Sequence, residues 1–159
     1  RNDEMAADKI RELHPDHIIL SPGPGRPENA GIIMEVAETL SQKIPTLGVC
    51  LGHQAICAAY GASITYAKRL MHGKQSVITV QNDCPLFKNC PPAFTVARYH
   101  SLAADPDTLP DYLEPTAVAD DGEIMAVQHK KYPIYGVQFH PESIMTLDGK
   151  TILKNFIDL

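Results

Sequence analysis

A short apolar strand that must turn at once into a helix, with a cysteine at the corner, limits this chain more than any other stretch. Thr46-Leu47-Gly48-Val49-Cys50-Leu51-Gly52-His53-Gln54 carries the pattern G-x-C-x-G at Gly48, Cys50 and Gly52. It is the sulfur counterpart of the G-x-S-x-G nucleophile elbow, whose glycines allow a tight, strained turn that lifts the central side chain above a sheet. Residues 51–60 read as a helix stopped by Gly61. The free amides of its first turn would then lie beside Cys50, and their partial positive charge favours thiolate, lowering a thiol pKa from its free value of about 8.5. Against this stands the plainer reading of an inert core cysteine, since free cysteines are among the most buried residue types.

The order of elements around the elbow is that of an α/β domain. Residues 5–13 read as a helix, with Ile10 and Leu13 as its apolar marks, stopped at His14-Pro15-Asp16. His17-Ile18-Ile19-Leu20 follows, a short apolar run of the kind buried on both faces of a parallel sheet. Ser21-Pro22-Gly23-Pro24-Gly25-Arg26-Pro27 can only be a stiff loop, and Ile32, Ile33, Val36 and Leu40 recur at helical spacing within residues 30–42. Strand, loop, helix and elbow strand make a βαβ unit, whose crossover is right-handed almost without exception. Beyond Gly61 the runs are shorter and strand-like: residues 63–66, 76–80, 94–99, 116–119, 124–129 and 134–140, with Asp120-Asp121-Gly122 as a hairpin turn. Residues 147–159 close as an amphipathic helix marked by Ile152, Leu153, Phe156 and Ile157. The expected sheet is mixed, parallel in its first half and antiparallel in its second.

Gly136-Val137-Gln138-Phe139-His140-Pro141-Glu142-Ser143 supplies what a thiol nucleophile lacks. A strand runs up to His140, Pro141 ends it, and a carboxylate follows two residues after the imidazole. A cysteine attacks when an imidazole takes its proton, and the imidazole serves best when a third group fixes its tautomer. The alternative is a strand-end histidine beside a solvated glutamate. In a doubly wound sheet functional groups gather at the carboxyl ends of strands, where both Cys50 and His140 fall. The loop of residues 21–25 would share that rim, its uncovered amides able to donate to an oxyanion. A phosphate cradle is the weaker reading, because neither G-x-G-x-x-G nor a Walker lysine follows. Metal binding is weak too: Cys50 with His53, or His53 with Cys57, has helical ligand spacing but no second pair. His14, His17 and His129 read as surface or strand-end residues.

Size and charge exclude other classes. At 159 residues the chain is one domain with room for a sizeable core. A net charge of -5 without a basic stripe argues against a nucleic-acid surface. No apolar run approaches the roughly 20 residues of a membrane span, so neither nucleic acid nor membrane is expected as a partner. With no such run and no signal-peptide pattern, cytoplasmic is the expected location, and Cys50, Cys57, Cys84 and Cys90 contain no C-x-x-C pair and suggest no disulfide framework.

Taken together and in order, Ser21-Pro22-Gly23-Pro24-Gly25, Gly48-Val49-Cys50-Leu51-Gly52-His53-Gln54 and Gln138-Phe139-His140-Pro141-Glu142-Ser143 resemble the class I, triad-type glutamine amidotransferases over nearly the whole chain. Met71-His72-Gly73-Lys74 and Arg98-Tyr99-His100-Ser101-Leu102 resemble the subgroup serving chorismate enzymes, anthranilate synthase component II and the glutaminase of aminodeoxychorismate synthase. The resemblance implies a flavodoxin-like fold with a mixed, mainly parallel sheet. It implies a catalytic triad of Cys50, His140 and Glu142, with Gly23 and Leu51 amides as the oxyanion hole. Gly23, Pro24, Gly25, Gln54, Ser101 and Leu102 would hold L-glutamine. His72, Gly73 and Lys74 would face the chorismate-using synthase subunit that receives the ammonia, and no cofactor is implied in this subunit.

Family members begin with a strand, a helix and a second strand that have no counterpart in residues 1–159. The resemblance therefore implies a domain lacking that section, in which His17 to Leu20 becomes an exposed edge that another segment or chain would normally cover. Two other readings remain: a partner-independent γ-glutamyl cysteine hydrolase, and a truncated, non-catalytic binding module. Met71 to Lys74 speaks against the first, and the intact Cys50, His140 and Glu142 set against the second.

Overall fold

The computed structural model describes residues 1–81 and 83–159. Helix α1 (Ala7–Glu12) leads into strand β1 (Ile18–Leu20); helix α2 (Ile33–Thr39) and strand β2 (Thr46–Val49) complete the first βαβ unit. Helix α3 (Leu51–Ala59) leaves the elbow. There follow β3 (Ile64–Tyr66), β4 (Lys74–Val80), β5 (Ala93–Arg98), β6 (Leu102–Ala104), β7 (Leu113–Ala119), β8 (Ile124–His129), β9 (Ile134–Val137) and helix α4 (Gly149–Ile157). Among the described residues seven strands form one sheet in the order β1-β2-β9-β8-β7-β4-β5, and β3 pairs with β6 in a separate two-stranded sheet.

The sheet is mixed, as expected, but not mainly parallel: among the described residues β1 with β2 and β2 with β9 run parallel, whereas β4 with β5, β4 with β7, β7 with β8 and β8 with β9 run antiparallel, because the later strands follow one another through turns without helical crossovers. The last strand therefore returns beside the elbow strand, in the register Gly48 with Gly136 and Val49 with Val137. This pairing puts the two informative motifs of the sequence side by side. Helices cover both faces. Ile33, Val36, Leu40, Ile56 and Ile134 pack on one side, and Leu47, Val49, Met125, Phe139, Ile152 and Phe156 on the other. Each such apolar side chain taken wholly out of water contributes about 1.5–3 kcal/mol before the entropy of ordering it.

Several expectations need correction. The run at residues 17–20 reads as buried on both faces, yet Ile19 is 49% exposed between buried Ile18 and Leu20. The reason is position: among the described residues β1 pairs with β2 alone and forms the sheet edge, as the resemblance implies for His17 to Leu20. The helix expected over residues 30–42 is shortened, because Gly31 at φ +66° breaks the turn before it and a separate 3-10 turn occupies Pro27–Asn29. The strand expected through residue 140 ends at Val137. Strand β6 has no sequence signal, being three residues long and made of Leu and Ala. The hairpin turn forms as expected, with Gly122 at φ +78° and its amide donating to Ala119 O at 2.9 Å. All four cysteines are free.

Candidate active site

Cys50 sits at φ +52° and ψ -101°, a conformation that costs a non-glycine residue on the order of 1–3 kcal/mol. Its neighbours allow nothing else. A methyl group on Gly48 would lie 2.5 Å from the backbone of Gly52, and one on Gly52 would run into the Leu20 carbonyl. The first turn of α3 is thus pressed against β2 and β1. The turn is further pinned by Cys50 N donating to Val137 O at 2.8 Å and Gln54 N to Cys50 O at 3.0 Å.

His140 leaves the neighbouring strand at the same rim. Its backbone N–H donates to Ala97 O at 3.1 Å, its carbonyl accepts from Thr146 Oγ1 at 2.7 Å, and the Tyr99 ring stands edge-on to the imidazole at 4.9 Å. Nδ1 lies 2.7 Å from Glu142 Oε1, while Nε2 is buried with no hydrogen-bond partner among the described residues. With Nδ1–H donating to the carboxylate, Nε2 carries a free lone pair and can accept a proton.

The sulfur itself is bonded elsewhere. Cys50 is 8% exposed, and its Sγ accepts from Gln138 Nε2 at 3.6 Å; no hydrogen bond joins it to His140. Burial pushes the Cys50 pKa up to about 11, aided by the negative charge of Glu142 and opposed by the Leu51 amide and the Gln138 side chain. The expectation of a thiol shifted below its free value is therefore corrected. The helix amide acts in the expected direction, but loss of water around the sulfur outweighs it. At neutral pH this thiol holds its proton and needs a base to become a nucleophile.

The other expected residues divide into two groups. Gln54 is buried and donates through Nε2 to Leu102 O at 3.0 Å and to Gln138 Oε1 at 3.1 Å, which brings Gln54, Leu102 and the sulfur's neighbour into one network. Ser101 is exposed beside Leu102. Gly23, Pro24 and Gly25 are exposed, and the loop lies over the start of α3, since a methyl on Gly23 would meet Leu51 Cδ2 at 2.9 Å. Gly23, Pro24 and Leu51 also line a groove of about 740 Å³ along the β1 edge, which does not include Cys50, Gln54 or His140. His72, Gly73 and Lys74 are exposed, and Gly73 approaches Tyr99, so this segment stands one ring away from His140.

Sequence reading missed a buried polar cluster behind the site. Arg98 is wholly buried and pairs with Asp121 at 3.1 Å and Glu123 at 2.7 Å, and its Nε donates to His100 Nε2 at 3.1 Å. His100 Nδ1 lies 2.9 Å from Leu102 O, which links the cluster to Gln54. Burial alone would raise the Asp121 pKa, but the Glu123 amide and the Arg98 guanidinium more than offset this and hold it below the usual carboxylate value. Nothing in the residue order announces this cluster, which joins side chains from β5 and the β7–β8 turn. Gln138 and Tyr99 lie within the sequence motifs, but residue type alone assigns them no role; the register of β2 with β9 is the signal that places Gln138 beside Cys50. The candidate metal spacing resolves differently: His53 and Cys57 touch at 3.9 Å inside the core, and among the described residues no group of three or more metal-binding side chains occurs.

The glutamine amidotransferase class-I family model matches residues 1–159. The chain is 48% identical to the aminodeoxychorismate/anthranilate synthase component 2 of Bacillus subtilis, covering 99% of this chain and 81% of that protein. It is 43% identical to the aminodeoxychorismate synthase component 2 of Escherichia coli, covering 99% and 83%. It is also 52% identical to the bifunctional protein TrpGD of Thermotoga maritima over its full extent, although it spans just 27% of that longer polypeptide. Among solved structures, a Thermoplasma acidophilum protein described as part of a GMP synthase superposes with a TM-score of 0.85 at 30% identity, covering 99% of this chain and 77% of that one. A strained cysteine at a strand-to-helix corner, a histidine held by a glutamate just beyond the next strand, and a family match over residues 1–159 agree, and the chain belongs to the class-I glutamine amidotransferase family.

Proposed function

We propose that this chain is the glutaminase component of a chorismate-using synthase, acting in anthranilate or 4-amino-4-deoxychorismate formation. Cys50 Sγ attacks the side-chain carbonyl of L-glutamine as His140 Nε2 takes the thiol proton. The imidazolium then returns that proton to the departing nitrogen, releasing ammonia and leaving a γ-glutamyl thioester that water hydrolyses. Glu142 holds the imidazole in the tautomer this requires. The amides of Gly23 and Leu51 are the proposed donors to the tetrahedral oxyanion. Gly23, Pro24, Gly25, Gln54, Ser101 and Leu102 are the proposed contacts for glutamine. His72, Gly73 and Lys74 are assigned to the surface that meets the synthase subunit, which consumes the ammonia. The scheme calls for no cofactor in this subunit, since acyl transfer to sulfur needs a nucleophile, a base and oxyanion donors. Four free thiols suit a reducing compartment, and the proposed location is the cytoplasm.

The observation that carries this reading is His140 Nε2, buried, unpartnered among the described residues and oriented through Nδ1 by Glu142, at the rim where Cys50 ends the adjacent strand. Its test is glutamine hydrolysis, followed as glutamate and ammonia, by the full-length protein with and without a component I synthase. Hydrolysis stimulated by the synthase and abolished in Cys50→Ala is the expected result. Full-rate hydrolysis without any partner, or undiminished hydrolysis in Cys50→Ala, would reject it.

A further inference from the structure

The Gln138 carboxamide is wholly buried and held at both ends. Its oxygen accepts from Gln54 Nε2 at 3.1 Å, and its nitrogen donates to Cys50 Sγ at 3.6 Å. A carboxamide has one accepting end and one donating end, so a donor fixed on the oxygen obliges the NH2 group to face the sulfur. The donor is fixed: Gln54 Nε2 is also tied to Leu102 O at 3.0 Å. The backbone is fixed as well, because Gln138 N donates to Met125 O at 2.9 Å and Cys50 N donates to Val137 O at 2.8 Å.

The geometry points to Gln138 as a positioning residue of the nucleophile, whose NH2 group holds the Cys50 sulfur at the elbow and stabilises the anion formed when the thiol gives up its proton. A neutral thiol is a weak acceptor, whereas a hydrogen bond to an ionised acceptor is roughly twice as strong as a neutral one. The bond therefore gains strength as charge develops on sulfur. Other groups act on that charge from each side. Burial and the Glu142 carboxylate disfavour it, and the Leu51 amide at the start of α3 favours it together with Gln138. His140, whose Nε2 has no partner among the described residues, is left to take the proton. The same carboxamide couples the sulfur to Gln54, so a ligand that engages Gln54 acts on the thiol through one intervening side chain.

This inference rests on the proposed reading of Cys50 as the nucleophile, but its test needs neither glutamine nor a synthase. Iodoacetamide alkylation of Cys50, in which the thiolate sulfur bonds carbon and iodide leaves, is followed by the mass of the peptide containing Cys50 between pH 7 and 10. Gln138→Met keeps the length and removes the donor, and Gln138→Glu keeps the shape and places an acceptor against the sulfur. Alkylation about three- to tenfold slower in Gln138→Met, and slower again in Gln138→Glu, is expected, corresponding to an upward displacement of the rate-pH profile by about 0.5–1 unit. Profiles that superimpose on the parent chain, or a Gln138→Glu chain as reactive as the parent, overturn the inference. Should both variants fail to fold, the unaltered chain decides. The Gln138 side-chain 15N–1H signals are expected to titrate with Cys50 and to lose that titration in Cys50→Ala; signals that ignore Cys50 ionisation overturn it equally. An unresponsive glutaminase assay alongside the expected alkylation order rejects the proposed function alone, and the reverse pattern rejects the role of Gln138 alone.

Discussion

Glu142 Oε1 stands 2.7 Å from His140 Nδ1, and the same carboxylate raises the pKa of Cys50. One side chain thus orients the imidazole proposed as base and hinders ionisation of the thiol proposed as nucleophile, and the two effects separate experimentally. Glu142→Gln removes the charge. Glutamine turnover should fall by about 10- to 1,000-fold in kcat with little change in KM, because the imidazole loses its orienting acceptor. Iodoacetamide should nevertheless alkylate Cys50 faster, because the opposing charge is gone. Both readouts falling together would mean that Glu142 acts by general support of the loop.

The elbow depends on close backbone approach more than on turn conformation. Gly52→Ala places a methyl group against the Leu20 carbonyl, whereas Gly61→Ala, at φ +100° with open space around it, meets nothing. Gly61→Ala is expected to cost about 1–2 kcal/mol of backbone strain. Gly52→Ala should cost roughly 3 kcal/mol or more, by separating α3 from β1. Urea denaturation of the two variants compares them directly, and a Gly52→Ala chain no less stable than Gly61→Ala would contradict the packing described.

Local chemistry made part of this protein legible before any coordinates. Gly48, Cys50 and Gly52 announce a turn because few other sequences can bring a helix so close to the strand it leaves. His140-Pro141-Glu142 announces an imidazole with an orienting carboxylate on a turn fixed by proline, although the strand itself ends earlier, at Val137. What sequence could not give is neighbourhood. The Cys50 pKa is set by burial, a property of everything packed around the elbow, which outweighs the Leu51 amide at the helix start. Ile19 is exposed because its strand lies at the sheet edge, which its own side chain does not encode and which the comparison with the family pattern did anticipate. Gln138 gained meaning once β9 was known to pair with β2, and the partners of Arg98 come from a turn more than 20 residues further along the chain.

That cluster is a point of fragility. Arg98 answers two carboxylates, Asp121 and Glu123, all three almost wholly withdrawn from water. Arg98→Leu fills similar space but leaves both acids without a counter-charge, and about 3–5 kcal/mol of stability should be lost. The accompanying loss of the Arg98 Nε bond to His100 Nε2 should also loosen Leu102 and Gln54, raising KM for glutamine. Denaturant midpoints and steady-state kinetics on the same preparation check this. An unchanged midpoint would mean that the carboxylates are satisfied without the guanidinium.

Acid should unfold this protein through its buried histidines. His53, in α3, is wholly buried, and burial, with His100 nearby adding to it, lowers its pKa from 6.5 to about 3; His100 is lowered to about 4 mainly by burial and by Arg98. The unfolded chain binds protons at these positions from pH 6.5 downward, while the folded chain refuses them. The stability that depends on neutral imidazoles is therefore complete above pH 6.5 and is lost as pH falls through the interval toward 3 for His53 and 4 for His100. Between pH 6.5 and 5 each such group withdraws about 2 kcal/mol. His53→Leu removes one titrating site from the core, so its stability should drop by about 2 kcal/mol less than the parent chain's on going from pH 7 to 5. Urea titrations at the two pH values measure both drops. Equal drops would show that the His53 imidazole accepts its proton as readily in the folded chain as in the unfolded one, which its enclosure between α3 and Gly136 should forbid.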